Sequence, residues 1–312
     1  MPIKIPQGLP AAGKLRDEGV MLMTDRDAVR QDIRPLRICL LNLMPTKQVT
    51  ECQIARLIGA TPLQIEMTLL TTKSYQAKNT PAAHLQDFYH HWADVQHRKF
   101  DGLIITGAPV EEIPFEDVTY WQEIQDILHW AQHHVVMIFT ICWGAQAALY
   151  YWHKVPKHML DAKALGIFDH QISQPQANLL RGLNDVFPMP VSRYTQVYTN
   201  EFPKDSDITI LAQSPEVGLG LVHDATHRLT CVFNHLEYDA DTLSQEYHRD
   251  QTRGVQTPIP ENYFPENDPQ NSPINRWRAP AHLLFANWIN ICYQWTPFDL
   301  DDRDVSKMII PA

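Results

Sequence analysis

Val135-Val136-Met137-Ile138-Phe139-Thr140-Ile141-Cys142-Trp143-Gly144-Ala145-Gln146-Ala147-Ala148-Leu149 is the stretch on which the fold turns. Residues 135–141 are almost entirely apolar with no polar alternation, which reads as a strand buried on both faces. Small and helix-forming residues follow directly from 143. Strand, cysteine, small residues, helix is the layout of a nucleophile elbow, in which a sharp turn lifts the side chain above the carboxyl edge of the sheet. Gly144 gives the backbone room to pack there. The start of a helix favours thiolate over thiol, and its free N–H groups can stabilise an oxyanion. A cysteine at a strand end is more commonly just a small core residue, and the local sequence leaves both readings of Cys142 open.

Working outward, residues 37–43, 65–70 and 100–106 form further apolar runs. Residues 48–58 and 118–133 carry apolar side chains at helical spacing between them. Alternating strands and helices predict a doubly wound α/β architecture with a mostly parallel sheet. In the second half, 208–212 is another buried run, and 218–223 with 228–233 read as a hairpin about the polar turn Asp224-Ala225-Thr226-His227. Next comes Asn234-His235-Leu236-Glu237. In an extended segment residues two apart share a face, so His235 can take the Cys142 proton while Glu237 orients the imidazole. The simpler reading of this His-x-Glu is a solvated strand end.

Residues 257–280 hold six of the 23 prolines and predict an irregular loop, held to the body by Tyr263, Phe264 and Trp277. Residues 281–293 read as an aromatic-rich helix. With no internal repeat, the expectation is one domain over 1–312, with an N-terminal extension at 1–35. With 26 basic and 36 acidic residues the net charge is −10, which disfavours a general nucleic-acid binder. No apolar run reaches membrane-spanning length and no secretory signal pattern opens the chain, so the expected location is the cytoplasm. Five scattered cysteines without C-x-x-C spacing suggest neither a disulfide framework nor a zinc knuckle.

Several stretches carry a resemblance: MPIKIP at the start, QDIRPLRICLLNLMPTK at 31–47, FDGLIITGAPVE at 100–111, ICWGAQA at 141–147, EYDADTL at 237–243 and NYFPENDP at 262–269. In these motifs, nearly end to end, the chain resembles the homoserine O-acyltransferase family, the homoserine transacetylases and transsuccinylases of bacterial methionine biosynthesis. The resemblance implies a flavodoxin-like sheet similar to the class I glutamine amidotransferases. It implies Cys142 as the nucleophile that carries the acyl group as a thioester, His235 as general base and Glu237 as third member. Substrate-contacting positions fall on Lys163, Ser192 and Arg249, and a recurring active-site lysine on Lys47. Arg249 can clamp an α-carboxylate bidentately, whereas Lys163 and Ser192 offer single contacts.

Acyl choice in such proteins goes with the position of Glu111: glutamate with acetyl-CoA, glycine with succinyl-CoA. A carboxylate there repels the free carboxylate of a succinyl group and fills its space. The expected activity is acetyl transfer from acetyl-CoA to L-homoserine. Acetyl-CoA is a co-substrate, and no metal or other cofactor is implied. No nucleic acid or membrane partner is implied, and a homodimer is a candidate assembly. Three stretches depart from the usual pattern: Asn234-His235-Leu236-Glu237 replaces Gly-His-Pro-Glu, Arg278-Ala279-Pro280-Ala281-His282 replaces Arg-Ser-His-Ala-Asn, and Arg193-Tyr194-Thr195-Gln196 also differs. The last borders the expected acceptor pocket. Serine O-acetyltransferase and homoserine O-succinyltransferase therefore stand as alternatives, since one methylene is poorly discriminated by binding. Two rivals use the same scaffold: a glutamine amidotransferase or hydrolase, and a non-catalytic protein with Cys142 as a sensor thiol.

Overall fold

The computed structural model describes every residue except 1–2, 21, 24–33, 75–78 and 303. The start of MPIKIP, the first three residues of the 31–47 motif and part of the 1–35 stretch lie outside the described residues. Among the described residues the strands are β1 (Ile3–Lys4), β2 (Leu22–Met23), β3 (Leu36–Leu41), β4 (Ile65–Thr71), β5 (Tyr89–His91), β6 (Phe100–Ile105), β7 (Val135–Ile141), β8 (His158–Ile172), β9 (Val186–Gln196), β10 (Ile208–Ser214), β11 (Gly218–Asp224) and β12 (Leu229–Val232). They form one sheet in the order β2-β1-β4-β3-β6-β7-β12-β11-β10-β8-β9, with β5 beside β4. Pairing is parallel from β2 through β12 and antiparallel beyond.

Among the described residues the α-helices are α1 (Ala11–Asp17), α2 (Lys47–Ile58), α3 (Ala82–Phe88), α4 (Trp92–Val95), α5 (Trp121–His134), α6 (Trp143–His153), α7 (Thr242–Thr252) and α8 (Arg278–Trp295). Along β3 the side chains alternate between two apolar layers, as period-2 geometry requires. Ile38 and Leu40 join Ile54 and Ile58 of α2 and Phe285 and Trp288 of α8 on one face. Cys39 and Leu41 join Ile127 of α5 and Leu149 of α6 on the other. β7 is buried at all seven positions, so its continuous apolar run is the signature of a strand covered on both faces.

The predicted parallel strands, their crossover helices and the β11–β12 hairpin are all present, with ends shifted by a few residues. The N-terminal stretch is not a simple appendage, because β1 pairs with β4 inside the sheet. The long hairpin of β8 and β9 and the helix α7 are further elements. Asp161, Lys163 and Asp169 interrupt the apolar pattern of β8, and β9 contains Pro188 and Pro190, which argue against a strand in sequence. β9 is an edge strand, however. Pro190 accepts a hydrogen bond from the His235 N–H on the side away from β8, at 2.8 Å. A residue's N–H and C=O point the same way in a strand, so the missing proline N–H also faces away from the β8 ladder.

Residues 258–277 are irregular as expected, and Tyr263, Phe264 and Trp277 are buried. The segment docks onto β8 through its backbone: Glu261 N–H donates to Leu165 O at 2.9 Å and Ile167 N–H to Glu261 O at 2.8 Å. α8 starts at Arg278, three residues earlier than predicted, with Pro280 in its first turn, where a missing N–H breaks no intrahelical bond.

Candidate active site

Cys142 stands between β7 and α6 with φ 51° and ψ −115°, a backbone conformation that L residues seldom adopt. Its own N–H is held by Val232 O of β12 at 2.7 Å, and its carbonyl accepts the first helical N–H groups, from Ala145 at 3.0 Å and Gln146 at 3.2 Å. The Trp143 and Gly144 N–H groups then lie in the first turn, where no intrahelical carbonyl reaches them and a developing oxyanion can. A side chain on Gly144 would bring a Cβ to 2.8 Å from Thr106 O and 3.0 Å from Ile105 O, so glycine lets α6 seat directly on the end of β6.

His235 and Glu237 meet by a different geometry from the extended one predicted. Residues 234–237 leave β12 and enter a turn, closed by Tyr238 N–H to His235 O at 3.3 Å. The turn brings His235 Nδ1 to 2.7 Å from Glu237 Oε1. Pro190 O anchors the His235 backbone, and Tyr238 stacks on the imidazole at 4.2 Å between centroids. Burial alone pushes the imidazole toward its neutral form, but the Glu237 carboxylate hydrogen-bonded to it and the neighbouring Cys142 sulfur outweigh burial and lift it well above the ordinary histidine range. Nucleophile, base and orienter thus stand side by side, with the base hydrogen-bonded to its orienter. Gly107, not singled out by sequence, leaves the space beside it: a Cβ there would lie 3.3 Å from Cys142 Cβ and 3.5 Å from His235 Cε1.

Glu111 closes another side. Its Oε2 accepts from Tyr194 N–H at 2.9 Å and Thr195 Oγ1 at 3.2 Å. Burial raises its carboxyl, opposed by the Tyr194 bond and by the charges of His235 and Lys163. Thr195 Oγ1 also reaches Gln146 Oε1 of α6 at 3.0 Å, which ties the departing Arg193–Gln196 stretch to the elbow helix.

Lys163 and Ser192 come together across the β8–β9 hairpin on one acceptor, Glu246 of α7. Lys163 Nζ bonds Glu246 Oε1, and Ser192 Oγ donates to it at 2.7 Å. Burial drives the Lys163 ammonium down, but Glu246 more than restores it. Arg249, one helical turn on, is held by Asp250 Oδ1 at 2.8 Å and leaves half its side chain exposed beside Glu246. This gathers a cation, a hydroxyl and a guanidinium about one carboxylate, a set of groups able to hold both ends of a free amino acid. Glu246 lay unremarked in the sequence, and its spacing to Arg249 and Asp250 on one face of α7 was the signal.

Lys47 joins a different group. It opens α2, is buried, and donates to Asn42 O, with its ammonium 5.8 Å from the Tyr89 ring centre. Burial, opposed by Glu51, brings it down to about 8. Tyr89 and His84 share Glu51 at 2.6 and 2.9 Å, so this is a polar network beneath the carboxyl end of β3. The five cysteines are unpaired and buried. Among the described residues no helix is long and apolar enough to cross a membrane.

A homoserine O-succinyltransferase family profile matches residues 2–298. The chain belongs to that family. Within the family, it is 54% identical over 301 residues to a homoserine O-acetyltransferase of Ruegeria sp. (strain TM1040), covering 96% of each chain. It is 54% identical over 302 residues to one of Allorhizobium ampelinum, covering 97% of this chain and 98% of that one. A third, from Brucella canis, is 52% identical over 301 residues, with 96% and 98% covered. In solved structures the chain is similar to a glutamine amidotransferase from Thermotoga maritima, at TM-score 0.52 and 11% identity, covering 83% of this chain and 99% of that one. A glutamine amidotransferase from Methylobacillus flagellatus aligns at TM-score 0.50 and 13% identity, covering 83% and 95%. The family member described here therefore has a class I glutamine amidotransferase-like fold.

Proposed function

We propose that this protein is a homoserine O-acetyltransferase of methionine biosynthesis that works through a Cys142 thioester. The observation that carries the reading is the buried Cys142–His235–Glu237 group at the strand-to-helix turn, in a chain 54% identical over nearly its full length to homoserine O-acetyltransferases. In the first half-reaction the Cys142 thiolate attacks the acetyl carbonyl of acetyl-CoA. The carbon–sulfur bond to CoA breaks, and the CoA sulfur leaves with the His235 proton. Neutral His235 then takes the proton of the acceptor hydroxyl. The alkoxide attacks the thioester and Cys142 departs as thiolate, restoring the starting ion pair. Glu237 holds the imidazole and offsets its positive charge in both halves. Glu111, hydrogen-bonded to β9, bars a succinyl carboxylate. Lys163, Ser192 and Arg249, grouped about Glu246, hold the amino acid, and Lys47 supports the carboxyl end of β3 from its buried network. The whole of 1–312 acts as one acyltransferase domain in the cytoplasm, with acetyl-CoA as co-substrate and no further cofactor.

Mixing the full chain with acetyl-CoA and recording intact mass tests the reading. An acetyl adduct on Cys142, discharged by L-homoserine faster than by L-serine, is expected. No adduct, or a preference for succinyl-CoA or for serine, overturns it.

A further inference from the structure

The polar turn of the β11–β12 hairpin takes no part in the chemistry above. We propose that His153, Asp224 and His227 form a binding site for a divalent cation of the zinc class, which fastens the far end of the nucleophile helix α6 to this hairpin. One ligand atom of each lies within 4.8 Å of the others, and among the described residues no other group of three or more His, Cys, Asp or Glu is so arranged. His153 Nε2 is 2.5 Å and His227 Nδ1 2.6 Å from the same oxygen, Asp224 Oδ2.

The donor set suits the ion. Two imidazole nitrogens and a carboxylate oxygen make up the borderline N/O environment that zinc favours over magnesium or calcium, and three protein ligands leave one position for water. Tetrahedral zinc holds such atoms roughly 3.3 Å apart, so side-chain shifts of about 1 Å convert the present cluster into a ligand sphere. The positions are set beforehand. His153 ends α6 and Asp224 ends β11, where the second carboxylate oxygen accepts the His227 N–H at 3.2 Å. The Trp152 ring stacks on His227 at 4.8 Å between centroids, restricting that imidazole. The carboxylate is 1% exposed, while the histidines are 11% and 21% exposed, which leaves an approach for the ion and its water.

The site is remote from the thioester chemistry, so its occupancy should register in stability. Untagged full chain, stripped with a chelator at neutral pH, is titrated with zinc while melting temperature and bound zinc after dialysis are recorded. One zinc per chain and a raised melting temperature are expected, with magnesium ineffective. Both effects should be lost in His153→Gln and in His227→Gln, each still forming the Cys142 adduct, and kept in Cys142→Ser, where zinc can no longer use the active-site thiol. Zinc effects that persist in both histidine variants, vanish in Cys142→Ser or are absent altogether overturn the proposal and leave the cluster as a metal-free hydrogen-bonded clamp.

Discussion

His170 and Asn234 show how one residue's protonation supports the site. His170 Nδ1 faces Phe168 O at 2.9 Å, an acceptor only, so the ring proton sits there and Nε2 accepts from Asn234 Nδ2 at 2.9 Å. Asn234 Oδ1 is left buried without a partner. Burial, against the Phe168 bond, pushes the ring down to about 4 from the ordinary 6.5. The unfolded chain therefore binds a proton that the folded chain refuses, and stability falls as pH drops from about 6.5 to 4, by on the order of 3 kcal/mol. His170→Gln keeps a donor for Phe168 and an acceptor for Asn234 without titrating. Urea unfolding at pH 7 and pH 4 should show a loss smaller by about that amount in the variant, and equal losses would reject the assignment. Glu111 yields a second test at this scale. Glu111→Gly should admit succinyl-CoA while Cys142 still acetylates, read by intact mass with each donor; unchanged donor choice would remove Glu111 from specificity.

At the scale of elements, the elbow was legible because everything that makes it is contiguous: an all-apolar β7, a cysteine, then Gly144 and alanines. The His–Glu pair was legible as a pair but not as a shape. Leu236 stands where the family pattern has proline, and a turn produced the contact that an extended strand was expected to give. Glu246, Gly107 and Pro190 were hidden because each acquires meaning only across the fold: β8 and β9 must pair before Lys163 and Ser192 share a carboxylate. β9 itself was masked by prolines that only an edge strand tolerates. The seating of α6 on β6 is testable here. Gly144→Ala forces a Cβ to within 2.8 Å of Thr106 O, so α6 must lift. Overpacking of this kind costs about 1–3 kcal/mol. Both a lower melting temperature and slower thioester formation are expected, since the helix carries the oxyanion N–H groups; a stability loss with unaltered acylation would separate the two.

At the scale of the molecule, the sheet joins a parallel half, which supplies Cys142, to an antiparallel half, which supplies Lys163 and Ser192, and the two meet in a seam at β12, paired parallel with β7 and antiparallel with β11. The doubly wound half and the β11–β12 hairpin were readable from composition and period; the β8–β9 hairpin was not, since β8 is only partly buried and β9 carries prolines. Fully buried Arg228, in the hairpin turn at the foot of the seam, donates to Gln132 O of α5 at 2.8 Å, Val136 O of β7 at 3.1 Å and Met308 O of the C-terminal segment at 3.2 Å. Arg228→Met fills the space but leaves those carbonyls unpaired. It should lower unfolding free energy by about 3 kcal/mol or more, seen as a reduced urea midpoint at unchanged slope. A near-neutral result would mean that the seam holds without this clamp.

The positive φ of Cys142 has a consequence for how such a catalyst can evolve. A β-carbon at φ 51° is held against its own preference, and strain of this kind is on the order of 1–3 kcal/mol. Two inactive variants isolate it, because alanine keeps the β-carbon and glycine does not. Glycine ordinarily weakens a fold relative to alanine, yet here Cys142→Gly should melt above Cys142→Ala. That inversion would mean that the chain would be sturdier without its nucleophile, and that selection for turnover maintains this corner against the drift of stability.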